Sequence, residues 1–268
     1  MSRRFARIGA GLRLACVGGA AVALAACSAY HPDRLVIDHD VQAKSQDSRV
    51  QFVVVHYTSV DDPTSLKVLS QGNVSSHYLV TDQPRPRVYQ LVDENRRAWH
   101  AGVSQWYGRT YLNSSSIGIE IVNAGRRDGQ WAPYPPAQIR AVAALLKDII
   151  WRHQIKPQDI VGHSDIAPQR KIDPGPLFPW KELAAQGIGR WYDADAAARH
   201  TREFQRDGLP SVAWIQRQLM RVGYDCPQNG VLDQATKNVI SAFQMHYRPE
   251  NYDGVPDAQT LGILQALP

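Results

Sequence analysis

Short apolar stretches separated by polar turns dominate the chain between residues 51 and 163. Residues 51–57 read Gln-Phe-Val-Val-Val-His-Tyr, and this β-branched and aromatic run predicts a strand. Residues 74–81, 87–92 and 160–163 predict further short strands. Several short strands of this kind, spread over about a hundred residues, indicate that a sheet forms the core of this region.

Residues 117–122 show a strict alternation, reading Ile-Gly-Ile-Glu-Ile-Val. Successive side chains of a strand point to opposite faces, so the three isoleucines share one face and Glu120 points to the other. An acidic side chain on an otherwise apolar strand is a candidate for chemistry at the sheet.

Residues 136–153 have apolar side chains at helical spacing, and Pro136 suits the first turn of a helix. The positions that define the apolar face are Ile139, Val142, Ala143, Leu146 and Ile150. Together with the strands, this helix predicts a mixed α/β domain over residues 49–183, with a central β-sheet flanked by helices.

A different pattern begins near Pro210. The phrase Gly-Val-x-Asp-x-x-Thr occurs at residues 230–236 and again at residues 254–260. Glycine permits a tight turn and the aspartate can cap the helix that follows, so each copy predicts a turn that leads into a helix. We therefore predict a small all-α domain of three helices over residues 210–268, joined to the first domain by a linker at 184–209.

The N-terminus has the pattern of a secretion signal, with a basic start and an apolar stretch at residues 12–26 that is too short for a transmembrane helix. It ends in Leu-Ala-Ala-Cys, which resembles the lipobox of bacterial lipoproteins and makes Cys27 the lipidated residue. We therefore predict a signal peptide at 1–27 and a polar tether at 28–48. The alternative is an ordinary signal peptide cleaved after Ala26. In lipoproteins of this type, a residue other than Asp after the cysteine, here Ser28, indicates the outer membrane.

The formal charge of +5 is concentrated at the N-terminus, because four of the 30 basic residues lie within the first 13 positions. Without them the chain has 26 basic and 25 acidic residues, which argues against a nucleic-acid partner. Of the three cysteines, Cys16 leaves with the signal and Cys27 is blocked by lipid. Cys226 then has no partner, so we expect no disulfide and no thiolate metal site.

Histidines at the ends of two predicted strands, His56 and His163, are candidate metal ligands, and Asp173 follows His163 across a loop rich in Pro and Gly. Two imidazoles and one carboxylate satisfy a hydrolytic zinc site, which needs three protein ligands and one open position. Glu120 would then accept a proton and Lys171 would stabilise an oxyanion. A histidine at a strand end is, however, more often structural or merely exposed.

Five segments follow one another along the chain in the order of a known family. They are residues 53–58 (Val-Val-Val-His-Tyr-Thr), 76–80 (Ser-His-Tyr-Leu-Val), 98–102 (Ala-Trp-His-Ala-Gly), 116–120 (Ser-Ile-Gly-Ile-Glu) and 162–176 (Gly-His-Ser-Asp through Lys-Ile-Asp-Pro-Gly-Pro). They resemble zinc-dependent N-acetylmuramoyl-L-alanine amidases related to bacterial AmpD and the peptidoglycan recognition proteins. The resemblance covers residues 49–182, and with the lipobox and C-terminal unit it is closest to outer-membrane lipoproteins of this family.

The resemblance implies one Zn²⁺ per chain, bound by His56, His163 and Asp173. It also implies that Glu120 is the general base and that Lys171 stabilises the oxyanion. The reaction would be hydrolysis of the amide bond between N-acetylmuramic acid and the L-alanine of peptidoglycan stem peptides.

Further residues are candidates for contacts with peptidoglycan or muropeptides along the substrate groove, and for His77 a structural role fits equally well. These substrate-side candidates are His77, Trp99, His100 and Asn123.

The C-terminal unit, residues 212–267, resembles the small peptidoglycan-binding domain of many wall hydrolases; the alternative is a helical appendage that only packs on the first domain. The whole chain is thus expected to be a monomeric outer-membrane lipoprotein that faces the periplasm, held to the membrane by lipid on Cys27. Two other functions stay open, namely non-catalytic recognition of muropeptides and tethering of membrane to wall. The complete set of proposed catalytic residues favours the enzyme.

Overall fold

The computed structural model describes residues 37–268. The predicted signal peptide, Cys27 and the first part of the tether lie outside the described residues. Residues 37–46 lie outside the compact unit formed by residues 47–268, and they contain no helix or strand. Within residues 37–268, none of the helices is long and apolar enough to cross a membrane.

The unit formed by residues 47–268 contains all the strands and α-helices of the described residues. Its strands are β1 (Phe52–Tyr57), β2 (Tyr78–Val80), β3 (Val88–Gln90), β4 (Gln105–Trp106), β5 (Arg109–Thr110), β6 (Ser116–Ile121), β7 (Arg126–Arg127), β8 (Gln130–Trp131) and β9 (Ile160–Gly162). Its helices are α1 (Asp62–Gln71), α2 (Pro136–His153), α3 (His163–Ile166), α4 (Trp180–Ala184), α5 (Ala194–Asp207), α6 (Val212–Arg221), α7 (Gln234–Tyr247) and α8 (Ala258–Ala266).

The central sheet has five strands in the order β3-β2-β6-β1-β9. Strand β1 runs parallel to β6 and β9, β2 runs parallel to β6, and β3 is antiparallel to β2. The register of β1 and β6 pairs His56 with Glu120, so these two side chains lie side by side on the same face. Parallel strands bring their carboxyl ends to one edge, where residues distant in sequence meet.

Both faces of the sheet are buried, which explains why its central strands are almost continuously apolar. One face of β1 contributes Val53 and Val55 to a core that includes Leu146 of α2. The opposite face contributes Val54 to a second core with Trp106 and Phe243. This mixed α/β architecture confirms the predicted fold class.

Most predicted elements of the first domain form, with shorter strands. The predicted helix over residues 136–153 has these bounds in the structure, whereas β2 and β3 comprise only three residues each. The strand predicted over 160–163 ends at Gly162, because His163 begins the short helix α3. Helix α1 was not predicted, although its start signals are present: the side chain of Asp61 caps the helix and Pro63 lies in its first turn.

The C-terminal unit contains the three predicted helices, and its repeated phrase forms two equivalent turns. In the first, a buried Gln216 accepts a hydrogen bond from the Gly230 backbone and donates one to Thr236. In the second, Gln244 makes the same bonds with Gly254 and Thr260. Each buried glutamine amide thus accepts from the glycine N–H of the turn and donates to the threonine hydroxyl in the first turn of the next helix.

The segment predicted as a linker, residues 184–209, contains a fourteen-residue helix, α5. It packs closely on α8, where a side chain added at Gly262 would lie 2.3 Å from the Thr201 hydroxyl. The helix was missed because its sequence is highly polar and only Ala197 is buried. The predicted linker is therefore partly a structural element of the C-terminal unit.

Candidate metal centre and active site

Three candidate ligands meet at the carboxyl edge of the central sheet. His56 is the penultimate residue of strand β1, His163 follows the adjacent strand β9, and Asp173 lies in the loop after α3. His56 Nδ1 is 2.9 Å from His163 Nδ1, and each of these nitrogens is 3.1 Å from Asp173 Oδ2. All three side chains are buried.

Hydrogen bonds behind His56 fix which of its ring nitrogens carries the hydrogen. The Ser116 hydroxyl donates to the Leu112 carbonyl, so its oxygen is left to accept from His100 Nε2 at 3.2 Å. Burial lowers the pKa of His100 well below its usual value, and its neutral ring then accepts through Nδ1 from His56 Nε2 at 3.0 Å. His56 Nδ1 therefore has a free lone pair facing the cluster.

His163 has the same arrangement with a simpler partner. Its Nε2 lies 3.2 Å from the carbonyl oxygen of Ala101, which can only accept, and 3.4 Å from the Arg170 guanidinium, which can only donate. The shorter contact favours the tautomer with the hydrogen on Nε2 and a lone pair on Nδ1. Outer hydrogen bonds of this kind orient the imidazoles that bind metal ions in proteins.

The donor set fits a metal ion. Three lone-pair atoms, without a hydrogen between them, face one another at distances near the roughly 3.3 Å that separates ligands about 2.0–2.2 Å from a tetrahedral ion. Burial, followed by the nearby His163 ring, lowers the pKa of His56 to about 4, so the His56 ring is neutral at pH 7. Burial alone would raise the pKa of Asp173, but the two imidazoles outweigh it and lower the pKa well below the usual range.

The backbone of the two ligand segments is held together directly. The backbone N–H of Ser164 donates to the carbonyl of Asp173 at 2.8 Å. Gly162 allows this approach, because a side chain there would lie 2.6 Å from Pro174 Cδ. This close contact gives a physical reason for a glycine immediately before His163.

Glu120 lies beside this cluster, and a buried oxygen of its carboxyl group, Oε2, is unpaired among the described residues. Burial, with a smaller contribution from the Asp173 carboxylate, raises the pKa of Glu120 to about 8, whereas Lys171 acts in the opposite direction. A carboxyl group with a raised pKa in a cleft is typical of residues that transfer protons.

A cavity of about 380 Å³ opens over the cluster. Glu120 and Lys171 line it, together with the three candidate ligands and two of the predicted substrate-side residues, Trp99 and His100. Trp99 is 53% exposed, so an aromatic face is available at the rim. The cavity thus combines polar groups at its base with apolar walls, as small-molecule sites commonly do.

The other two predicted substrate-side residues do not line this cavity. His77 is fully buried, accepts from the Gly118 backbone through Nδ1 and donates to the Arg96 carbonyl through Nε2. Asn123 donates to the carbonyls of residues 132 and 133 and accepts from the Gly125 backbone. Both side chains therefore stabilise loops of the first domain, and sequence spacing gave no means to see these backbone partners.

Arg170 has a structural role at the site that was not predicted from the sequence. Its guanidinium donates to the carbonyls of Ala101 and Val103. It thus fixes the loop that contains Ala101, whose carbonyl oxygen is also the hydrogen-bond partner of His163 Nε2. The residue lies directly before Lys171 in the longest matching segment, and this position was the available signal. Helix α1 and the residues after it supply the apolar wall of the cavity with Val68, Leu69 and Val74.

The fold and the site together define the class of protein: an α/β hydrolytic enzyme whose centre is positioned to hold a metal ion. The sequence profile of the N-acetylmuramoyl-L-alanine amidase family matches residues 46–176. The profile of a peptidoglycan binding domain matches residues 209–264.

Individual relatives resemble almost the whole chain. It is 44% identical over 261 residues to the N-acetylmuramoyl-L-alanine amidase AmiD of Escherichia coli (strain K12), covering 92% of this chain and 94% of the relative. The chain therefore belongs to the N-acetylmuramoyl-L-alanine amidase family, which confirms the predicted resemblance and enzyme class.

Two solved structures are similar in fold over most of their length. The crystal structure of AmpDh3 from Pseudomonas aeruginosa matches with a TM-score of 0.82 and 44% identity, covering 87% of this chain and 97% of that one. AmiD from E. coli, in complex with the substrate anhydro-N-acetylmuramic acid-L-Ala-D-gamma-Glu-L-Lys, matches with a TM-score of 0.77 and 45% identity, covering 86% and 93%.

Proposed function

We propose that this chain uses one zinc ion to hydrolyse the amide bond between N-acetylmuramic acid and the L-alanine of peptidoglycan stem peptides. The observation that carries the proposal is the buried cluster of His56, His163 and Asp173 with the unpaired oxygen of Glu120 beside it. Two imidazoles, one carboxylate and an adjacent acid are the protein groups that hydrolytic zinc sites use.

The residues around the cavity divide the chemistry between them. Zinc bound by the three ligands would polarise the scissile carbonyl and lower the pKa of the attacking water. Glu120 takes the proton from this water and delivers it to the nitrogen of the leaving L-alanine. The Lys171 ammonium stabilises the negative charge that develops on the carbonyl oxygen.

We assign the substrate class to muropeptides and peptidoglycan. The support is the match to a structure that holds a muramyl peptide as substrate, together with the shape of the cavity. We expect Trp99 and His100, on the wall of the cavity, to contact the sugar or the first peptide residues. An aromatic ring suits contacts with a sugar and with a peptide. His77 and Asn123 are expected to act only through the loops that they hold.

We also propose that the mature chain is a monomeric outer-membrane lipoprotein that faces the periplasm, with its lipid on Cys27. The support is the lipobox-like sequence before that cysteine and Ser28 after it. The C-terminal unit would bind the wall as a second contact with the same polymer, which raises the effective concentration of the active site there.

A chelation experiment tests the enzymatic proposal. The protein lacking residues 1–27 is incubated with purified muropeptides, and the products are identified by mass. We expect release of free stem peptide that a chelator stops and added zinc restores. As a control, His163→Ala should lose zinc and activity together. Intact muropeptides that are bound but not cut would instead indicate a recognition protein, and the roles of Glu120 and Lys171 would be wrong.

A further inference from the structure

Asp165 connects the metal centre to the C-terminal helices. This aspartate lies two residues after His163 and is 1% exposed. Its Oδ2 accepts from the Gly162 backbone N–H at 2.7 Å and from His246 Nδ1 at 2.8 Å, while its Oδ1 accepts from the Tyr224 hydroxyl at 2.7 Å. One buried carboxylate is thus shared between the strand end before His163 and two side chains of the C-terminal unit.

Both partners from the C-terminal unit are held rigidly. His246 is stacked between Trp180 and Tyr247, with centroid distances of 4.1 Å on each side. Tyr224 is 1% exposed, and its ring contacts Trp106 edge-on. Burial and the neighbouring Asp165 carboxylate raise the pKa of Tyr224 well above its usual range, so the hydroxyl remains a donor.

Asp165 forms a hydrogen bond with the backbone next to His163, a candidate metal ligand. Gly162 is the residue before His163, and its backbone N–H is fixed by the Asp165 carboxylate. Ser164, the residue after His163, is fixed by the Asp173 carbonyl. The position of the His163 backbone therefore depends on these two hydrogen bonds, and one of them ends on a carboxylate that Tyr224 and His246 position. The ring itself is also held by the Ala101 carbonyl.

We propose that Tyr224 and His246 are positioning residues of the metal centre, which act through Asp165 to aim His163 at His56 and Asp173. The C-terminal unit is then a structural part of the metal site in addition to any contact with the wall. This inference rests on the proposed zinc-dependent function.

A matched pair of hydroxyl deletions in the full chain, held in detergent, separates positioning from general packing. Tyr224→Phe removes the hydroxyl that binds Asp165. Tyr107→Phe removes another hydroxyl between the two parts of the molecule, which accepts from Arg190 at 2.8 Å and does not contact Asp165. We expect Tyr224→Phe to weaken zinc binding by about 10-fold, at the lower end of the effect of outer partners of metal ligands. Tyr107→Phe should leave zinc affinity unchanged, and its melting temperature should be similar to that of Tyr224→Phe.

A second pair at position 246 tests the direction of the hydrogen bond. Asparagine places an N–H donor close to the position of His Nδ1, so His246→Asn should retain most of the zinc affinity, whereas His246→Leu should lose it by a similar factor to Tyr224→Phe. Cobalt substituted for zinc gives a second readout, since its absorption spectrum reports ligand geometry. We expect a changed spectrum in Tyr224→Phe and His246→Leu only.

The inference is overturned if Tyr224→Phe and His246→Leu bind zinc as the unmodified protein does, or if Tyr107→Phe weakens binding equally. In that case the unmodified protein still binds zinc and cuts muropeptides, and the proposed function stands. Failure of the unmodified protein to bind zinc or to cut would instead remove the proposed function itself.

Discussion

At the scale of single residues, the environment of Glu120 sets its task. The side chain lies beside His56 across two parallel strands, and its Oε2 has no partner among residues 37–268. Burial raises its pKa to about 8 even with Lys171 nearby, so the free acid is the favoured form until a metal ion binds. A positive charge at the adjacent ligands would favour the carboxylate, so that metal binding and the ability to accept a proton are coupled.

Glu120→Gln tests this assignment because the amide has the same shape but cannot accept the proton. We expect turnover to fall by about 10² to 10⁴, the usual contribution of a positioned acid or base, with zinc content unchanged. Steady-state kinetics and metal analysis on the same sample measure both. Full activity in this variant would remove Glu120 from the mechanism.

Gly118 supports the ligand cluster through a neighbouring ring. A side chain at this position would lie 2.5 Å from Cγ of His100, and His100 is the outer partner of His56. We therefore expect Gly118→Ala to displace the His100 ring and weaken zinc affinity by about 10-fold. Competition with a chelator measures the affinity. Gly108→Ala is a suitable control, since a side chain there meets nothing within 4 Å, although its positive φ adds local strain. Equal zinc affinity in both variants would contradict the role of His100.

At the scale of elements, the end of α2 is joined to the loop after β3 by a charged cluster. Glu94 accepts hydrogen bonds from Arg152, His153 and Tyr78. Burial alone would raise the pKa of Glu94, but these hydrogen bonds lower it from the usual 4.5 to about 2. A depressed carboxyl pKa contributes stability above the unfolded value, and this contribution is lost as the pH falls from about 4.5 towards 2.

Glu94→Gln should therefore lower the melting temperature at pH 7 and have little effect near pH 2. The expected loss at pH 7 is at most about 2 kcal/mol, because solvent screens part of the interaction. Thermal unfolding of both proteins across this pH range is the measurement. A constant difference between the two curves would show that Glu94 acts through packing alone.

Some helices and strands could be predicted from the sequence, and others could not. Helix α2 and the alternation in β6 were predicted from periodicity, because the apolar face of α2 packs on the sheet and the isoleucines of β6 lie in the same core. Helix α5 could not be predicted in this way, because nearly all of its side chains face solvent and its stability comes from close contact with α8. In the site, the cluster of His56, His163 and Asp173 was predicted by resemblance. The backbone role of His77 depends on segments 19 and 41 residues away, and that of Asn123 on the path of the loop that follows it, and neither path is encoded in a local pattern.

At the scale of the whole molecule, residues 47–268 form one unit in which the C-terminal helices share a core with one face of the sheet. Trp106 marks the junction: its ring packs against Tyr224, and a side chain at Gly223 would lie 2.8 Å from it. The two sequence profiles thus describe parts of a single folded body.

Removal of residues 184–268 should therefore destabilise the part that remains. Val54 and Trp106 would lose buried apolar neighbours, and Asp165 would lose two of its three donors. We expect a lower melting temperature, a stronger tendency to aggregate and weaker zinc binding than in residues 47–268. Calorimetry and size-exclusion chromatography compare the two forms. Unchanged melting in the shortened chain would show that the shared core contributes little.

The shared core also limits how the two parts of the gene can recombine with those of related genes. Recombination that joined the sheet of one relative to the C-terminal helices of another would bring together two apolar surfaces that had not been selected to fit. Such chimeras should be viable only where Trp106 and its partners across the junction come from the same parent. The two parts of this gene are then expected to descend together, and their phylogenetic trees should have the same branching order.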